Sequence, residues 1–201
     1  MTMYRSFKPG AMLSPVPAVL VSCAGLDGRA NALAIAWAGT VCSDPPVCSI
    51  SVRPERYSHR LISETGEFVI NLCSRDMLRA VDYCGVRSGR DEDKLKKAGL
   101  TPVPAEGMTH APAIDGAPIC LACKVQEIKP LGSHDLFLGQ IASMLVREDL
   151  LDANGRIMLE KADLVAYSHG IYNALGEALG FFGFSVAAPD VYERRMKALR
   201  K

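Results

Sequence analysis

Between Asp44 and Cys73 the chain reads DPPVCSISVRPERYSHRLISETGEFVINLC, two apolar strand patterns joined by a basic loop. The loop carries Arg53, Arg56, Tyr57, Ser58 and His59. Arginine offers a planar, permanently charged donor fork that matches phosphate oxygens. A short helix over 58–65 is expected, with Ser58 as its N-cap and Gly66 just past its end. The hydroxyl and the positive end of that helix would hold an anion at the same point. A solvated turn accounts for two arginines as simply, and on spacing alone it stands slightly ahead.

Three other places carry residues that could act. Trp37, the sole tryptophan, sits in the small-residue run Ala36, Ala38, Gly39, Thr40, which permits close backbone approach to a flat ligand. Tight packing in a barrel interior explains the same run. His134 lies in a Gly132–Asp135 turn before a strand, where an acid, a ligand contact or an exposed turn histidine fits equally. The segment SGRDEDK, residues 88–94, is either a charge-laced helix start or a lid that brings Lys94 to an anion.

Several chemistries lack their signatures. The chain has no G-x-x-x-x-G-K-[ST], no strand-linked G-x-G-x-x-G and no G-x-S-x-G elbow. Its four histidines are scattered, so no metal site is expected. Cys120 and Cys123 form a C-x-x-C, but residues three apart on a strand point to opposite faces, so both read as core thiols. Seven cysteines in apolar segments read as free, buried thiols rather than a disulfide framework.

These residues must be positioned by a chain of 201 residues, 49% apolar and 22% charged, enough for one domain with a substantial core. A net charge of +1 argues against nucleic acid or an anionic membrane as partner. The absence of an apolar run of spanning length or an h-region makes a cytoplasmic protein the expectation. Strands are expected at 16–23, 47–52, 68–72 and in two long runs after Ile119, the second bent at Gly139. Residues 31–41 read as a further strand ending in a loop at Asp44-Pro45-Pro46. Helices are expected at 75–84, near the end of 88–100, and in a basic amphipathic C-terminal segment. Residues 101–118 read as irregular and 162–184 as surface-wrapping. The sum is a mainly β chain: an antiparallel barrel with a few peripheral α-helices. The expected division is residues 1–188 as the barrel domain and 189–201 as a helical tail.

In order and spacing these pieces resemble the flavin reductase-like family, which includes the flavoredoxins and has the FMN-binding split β-barrel. The resemblance runs from about Pro17 to about Gly176. It is carried by N-A-x-x-x-A-W at Asn31–Trp37, DPP at Asp44–Pro46, SVRPERYSHRLI at Ser51–Ile62 and GEFVINL at Gly66–Leu72. DYCGVRSGRDEDK at Asp82–Lys94, GSHDLFLGQI at Gly132–Ile141 and Tyr172 with Leu175-Gly176 complete it. The resemblance implies non-covalent FMN, NAD(P)H as electron donor, a flavin, partner protein or small acceptor, and a homodimer. It implies that the strand and loop at Ala34–Thr40, with Ala36, Trp37, Ala38, Gly39 and Thr40, border the flavin ring, and that Asn31 is a cofactor-binding residue. Ser51, Arg53, Arg56, Tyr57 and Ser58 would hold the phosphate region. Asn71 and Lys94 match cofactor-binding positions, and His134 a position near the nicotinamide approach. The chain departs from the family at Leu95, where an aromatic is common, and at Ala34 and Ala36, where hydroxyl residues are common. Polar contact to the flavin there must come from the backbone. A non-catalytic FMN- or haem-binding protein is the alternative.

Overall fold

The computed structural model describes residues 2–199. The strands are β1 Val16–Pro17, β2 Val19–Ala24, β3 Ala30–Ile35, β4 Ala38–Ser43, β5 Pro46–Val52 and β6 Glu67–Leu72. They continue with β7 Pro102–Val103, β8 Ala113–Ile114, β9 Ile119–Pro130, β10 Asp135–Val146, β11 Val165–Ser168 and β12 Ile171–Ala174. Helices are α1 Tyr57–Thr65, α2 Leu78–Val86, α3 Lys94–Ala98 and α4 Pro189–Leu199.

Seven strands form one antiparallel sheet in the order β3-β2-β6-β9-β10-β5-β4. Its two edge strands, β3 and β4, are consecutive in sequence and joined through Ala36 and Trp37 alone. So short a link between opposite edges is possible only if the sheet curls round until the edges meet. This is the antiparallel barrel expected from sequence, left split between β3 and β5. The β4–β5 pairing extends one step beyond Ala38, with the amide of Ser51 donating to the Trp37 carbonyl at 3.0 Å.

The run 31–41, read as one strand, is therefore two strands interrupted at the crossing. The bend expected at Gly139 is present as a shift in the β9–β10 register. A Cβ there would lie 2.5 Å from the Phe68 ring and 2.9 Å from the Cys123 Cβ, so only glycine admits the approach.

Alternate residues of the central strands feed two cores, which is why β2 and β6 are buried on both faces, with Ser22, Glu67 and Asn71 the polar exceptions in otherwise apolar strands. Val19, Val21, Phe68, Ile70, Ile50 and Phe137 fill the barrel interior, closed at one end by Leu61 and Ile62 of α1. Leu20, Val69 and Ala122 point outward and are covered by Val81 and Cys84 of α2 and Leu95 of α3. Cys120 lies in the outer core and Cys123 in the inner one, as the strand period requires. Burial pushes the Cys120 thiol up to about 11, which keeps it protonated and inert.

The segment 162–184 contains a hairpin that the sequence reading missed, β11–β12, turned through His169 and Gly170 with positive φ at both. The expected tail helix is α4, with Met196 buried and Arg195 over the Phe181 ring at 4.1 Å. Residues 200–201 of that tail lie outside the described residues. Among the described residues no helix is long and apolar enough to cross a membrane, and no cluster of His, Cys, Asp and Glu could hold a metal.

Candidate functional site

Two adjoining cavities open along the split of the barrel. The first, about 410 Å³, is walled by the loop after β5, the start of α1 and residues 87–90 after α2. Arg53, Arg56, Arg87, Arg90 and Lys94 line it against a single carboxylate, Glu55. The second, about 360 Å³, runs along the end of β3 and shares Leu33, Arg53 and Arg56 with the first.

The first cavity is built from inside out. Asn31 on β3 is buried and donates from Nδ2 to Ser58 Oγ at 2.7 Å. With its oxygen so engaged, the Ser58 hydroxyl keeps its proton for another acceptor. Ser58 was expected to be the N-cap, but Arg56 holds that place without a side-chain cap, and Ser58 sits in the first helical turn. The loop thus turns Tyr57 and Ser58 into the cavity at the positive end of the α1 dipole.

Residues 87–90 close over this floor. A Cβ on Gly89 would lie 2.3 Å from Asn31 Oδ1 and 3.0 Å from the Tyr57 ring, so the backbone seats itself there only as glycine. Arg90 donates to the Glu55 carbonyl at 3.0 Å, and Arg29 to the Gly89 carbonyl at 3.0 Å. Lys94 is 4% exposed, and its Nζ donates to the Cys84 carbonyl at 3.0 Å. Burial lowers its pKa from the ordinary lysine value, with the Cys84 and Cys23 thiols pulling the other way. An ammonium with one backbone acceptor, withdrawn from water beside four guanidinium groups, is a site short of negative charge.

The second cavity is lined by Ala34, Ile35, Ala36, Trp37, Ser51 and His134, with Tyr167 and His169 from the β11–β12 hairpin. The His134 ring lies 4.7 Å from that of Trp37, tilted by 44°. Its Nδ1 is 2.9 Å from Ser133 Oγ, which leaves Nε2 as the nitrogen open to a ligand. Burial first, and then Arg53, lower its pKa, so His134 is neutral near neutrality.

The fold gathers Asn31, Arg53, Arg56, Tyr57, Ser58 and Lys94 at the first cavity and Ala36, Trp37, Ser51, Arg53, Arg56 and His134 at the second. It does not bring Ala38, Gly39 and Thr40 to either, because they lie on the exposed edge strand β4. Nor does Asn71 line either cavity: it is fully buried, donating to the Leu20 carbonyl at 2.8 Å and Ser22 Oγ at 2.9 Å and accepting from the Ile114 amide at 2.9 Å. Its amide is consumed in tying β8 to the outer core. Sequence reading missed Arg87 and, as cavity residues, Ser88 to Arg90, whose signal was the Gly-interrupted SGR after a helix. It also missed Tyr167 and His169, whose His-Gly turn was the available cue.

Comparison with known proteins gives the same frame. The flavin reductase like domain matches residues 12–174. An uncharacterised protein of Pyrococcus abyssi is 33% identical over 141 residues, 70% of this chain and 80% of that one. The flavoredoxin of Desulfovibrio vulgaris (Miyazaki F) superposes with a TM-score of 0.84 at 36% identity, over 92% of this chain and 99% of its own. An FMN-binding protein of Thermus thermophilus, with bound 1-cyclohex-2-enone, superposes at 0.74 with 26% identity, over 90% and 99%. The chain belongs to the flavin reductase-like domain family, with its split-barrel fold.

Proposed function

We propose that the chain binds FMN non-covalently along the split and passes electrons from NAD(P)H through it, as a flavin reductase or a flavoredoxin-like carrier. The observation that carries this is the pairing of a strongly cationic cavity with a second one walled by backbone, Trp37 and His134. The donor set fits a phosphate dianion: fixed guanidinium forks, a hydroxyl proton from Ser58, a helix N-terminus and the under-partnered Lys94. The similarity to a flavoredoxin and to an FMN-binding protein supports the same cofactor.

When bound, the flavin supplies the hydride and electron chemistry. The chain's own residues bind, orient and exclude water. Arg53, Arg56 and Ser58 hold the phosphate, with Lys94 neutralising it from beneath. Ala34 and Ala36 lack hydroxyls, so peptide groups of Ala34–Trp37 meet the polar ring edge. Neutral His134 presents Nε2 to the second cavity, where it accepts or donates a hydrogen bond without repelling a cationic nicotinamide. The free state of all seven cysteines supports a reducing, cytoplasmic setting.

Anaerobic titration of purified protein with NADH and with NADPH, following flavin absorbance, tests the reading. Bleaching by either nucleotide is expected. Bound FMN that neither nucleotide bleaches would leave a non-catalytic flavin-binding protein, and no FMN binding would refute the cofactor assignment.

A further inference from the structure

A contact that lines neither cavity joins the two elements that serve them. His59 follows Ser58 on α1, and its Nε2 lies 2.8 Å from Oδ2 of Asp135, the first residue of β10. The side chains are only 17% and 15% exposed. The His59 ring also stands edge-on to the buried Phe137, centroids 5.1 Å apart, which restricts where it can swing. On one side of the pair, Ser58 faces the cationic cavity. On the other, His134 immediately precedes Asp135 and faces the second cavity against Trp37. The rest of the turn, Leu131, Gly132 and Ser133, is exposed and has little packing of its own.

We propose that His59 and Asp135 are positioning residues: their hydrogen bond fastens the His134 turn to α1, so that the helix receiving the anion and the imidazole beside Trp37 are held in one frame. An exposed pair would contribute little, but this one is largely withdrawn from water, where loss of one partner costs more. The inference rests on the FMN reading only in taking the second cavity as the seat of the flavin ring. The contact between His134 and Trp37 does not depend on it.

Trp37 is the sole tryptophan, so its emission reports that contact in ligand-free protein. A protonated imidazole quenches an adjacent indole, and emission is expected to fall on acidification as His134 titrates. The groups facing His134 are Arg53, Glu55 and Arg56 of the basic loop, Asp135 beside it, and Tyr167 and His169 of the β11–β12 hairpin. His134→Gln is expected to abolish the change. A change that survives it means the required contact is absent, and overturns the proposal.

His59→Phe keeps the ring against Phe137 and removes the polar partner, and Asp135→Ala removes the other side. Each is expected to lose about half or more of the pH-dependent amplitude, with the double variant no worse than the stronger single one. His59→Gln, which can still reach Asp135, is expected to restore it. If His59→Phe does not fold by far-UV circular dichroism, His59→Asn, too short to reach, is read in its place. A wild-type titration in the His59 variant, including the case where Asp135→Ala alone has an effect, would overturn the proposal. The measurement contains no flavin, so its outcome is separate from failure of FMN binding.

Discussion

Arg53 and Arg56 project from a loop between a strand end and a helix start, and both border the two cavities. Replacing either with alanine removes a charge-assisted hydrogen bond of about 1.5–3 kcal/mol, so FMN affinity should fall roughly 10- to 150-fold by flavin fluorescence titration. Full affinity in the double variant would refute the phosphate assignment. Lys94 makes a contrasting case. Burial holds its pKa below that of an unfolded lysine, so between the two values the unfolded chain binds more protons and stability rises with pH. In ligand-free protein Lys94 costs stability at neutral pH. Lys94→Met should therefore raise the urea midpoint at pH 7, flatten the alkaline rise in stability, and weaken FMN binding. A lower midpoint would mean that the Cys84 contact outweighs the desolvation.

At the scale of elements, the connection between α3 and β9 has little regular structure, and one buried side chain takes three successive amides of it. Glu67, the first residue of β6, accepts from the amides of Thr109 at 3.0 Å, His110 at 2.7 Å and Ala111 at 3.1 Å. Burial pushes the carboxyl up, but these amides together outweigh it and hold the pKa below the usual value. The stabilisation is present above the unfolded carboxyl pKa and is lost as pH falls through the lower, folded one. Glu67→Gln turns an amide donor toward backbone donors. It should cost about 1–3 kcal/mol at pH 7 and shrink the acid-side loss of stability, read from urea unfolding across a pH series.

For the whole molecule, closing a sheet by joining its own edges leaves a seam, and the seam is where both cavities open. It also leaves β4 as an exposed edge carrying Val41, and elsewhere the N-terminal segment has Tyr4, Phe7, Met12 and Leu13 exposed. Unpaired edges and apolar side chains of this size are commonly covered by another chain. We propose a homodimer as the covering arrangement. Sedimentation velocity should give twice the protomer mass of 21.7 kDa. A monomer at micromolar concentration would refute it.

Much of the barrel was legible in the sequence because strand burial has a period of two and turns have their own residues. The alternation of Val47–Val52, the apolar run before Asp27-Gly28 and the bend at Gly139 each follow from local chemistry. The gathering of Arg53, Arg56, Tyr57 and Ser58 at one cavity was legible for a similar reason: they are nearly contiguous, and a basic loop leading into a helix start is local. Asn71 and Lys94 show where that reasoning ends. Both are polar residues among apolar ones, yet only packing decided that the amide of Asn71 is spent in the core while Lys94 forms the floor of a cavity. The crossing at Ala36–Trp37 hid within one apolar run, since periodicity cannot tell a strand that continues from one that changes edge. Residue types and local spacing, then, determined the elements and the charge of the site. Long-range closure alone decided which of those residues meet, because curling the sheet brings β3 to β5, α1 to β10 and the His169 turn to Trp37 across separations that no local pattern records.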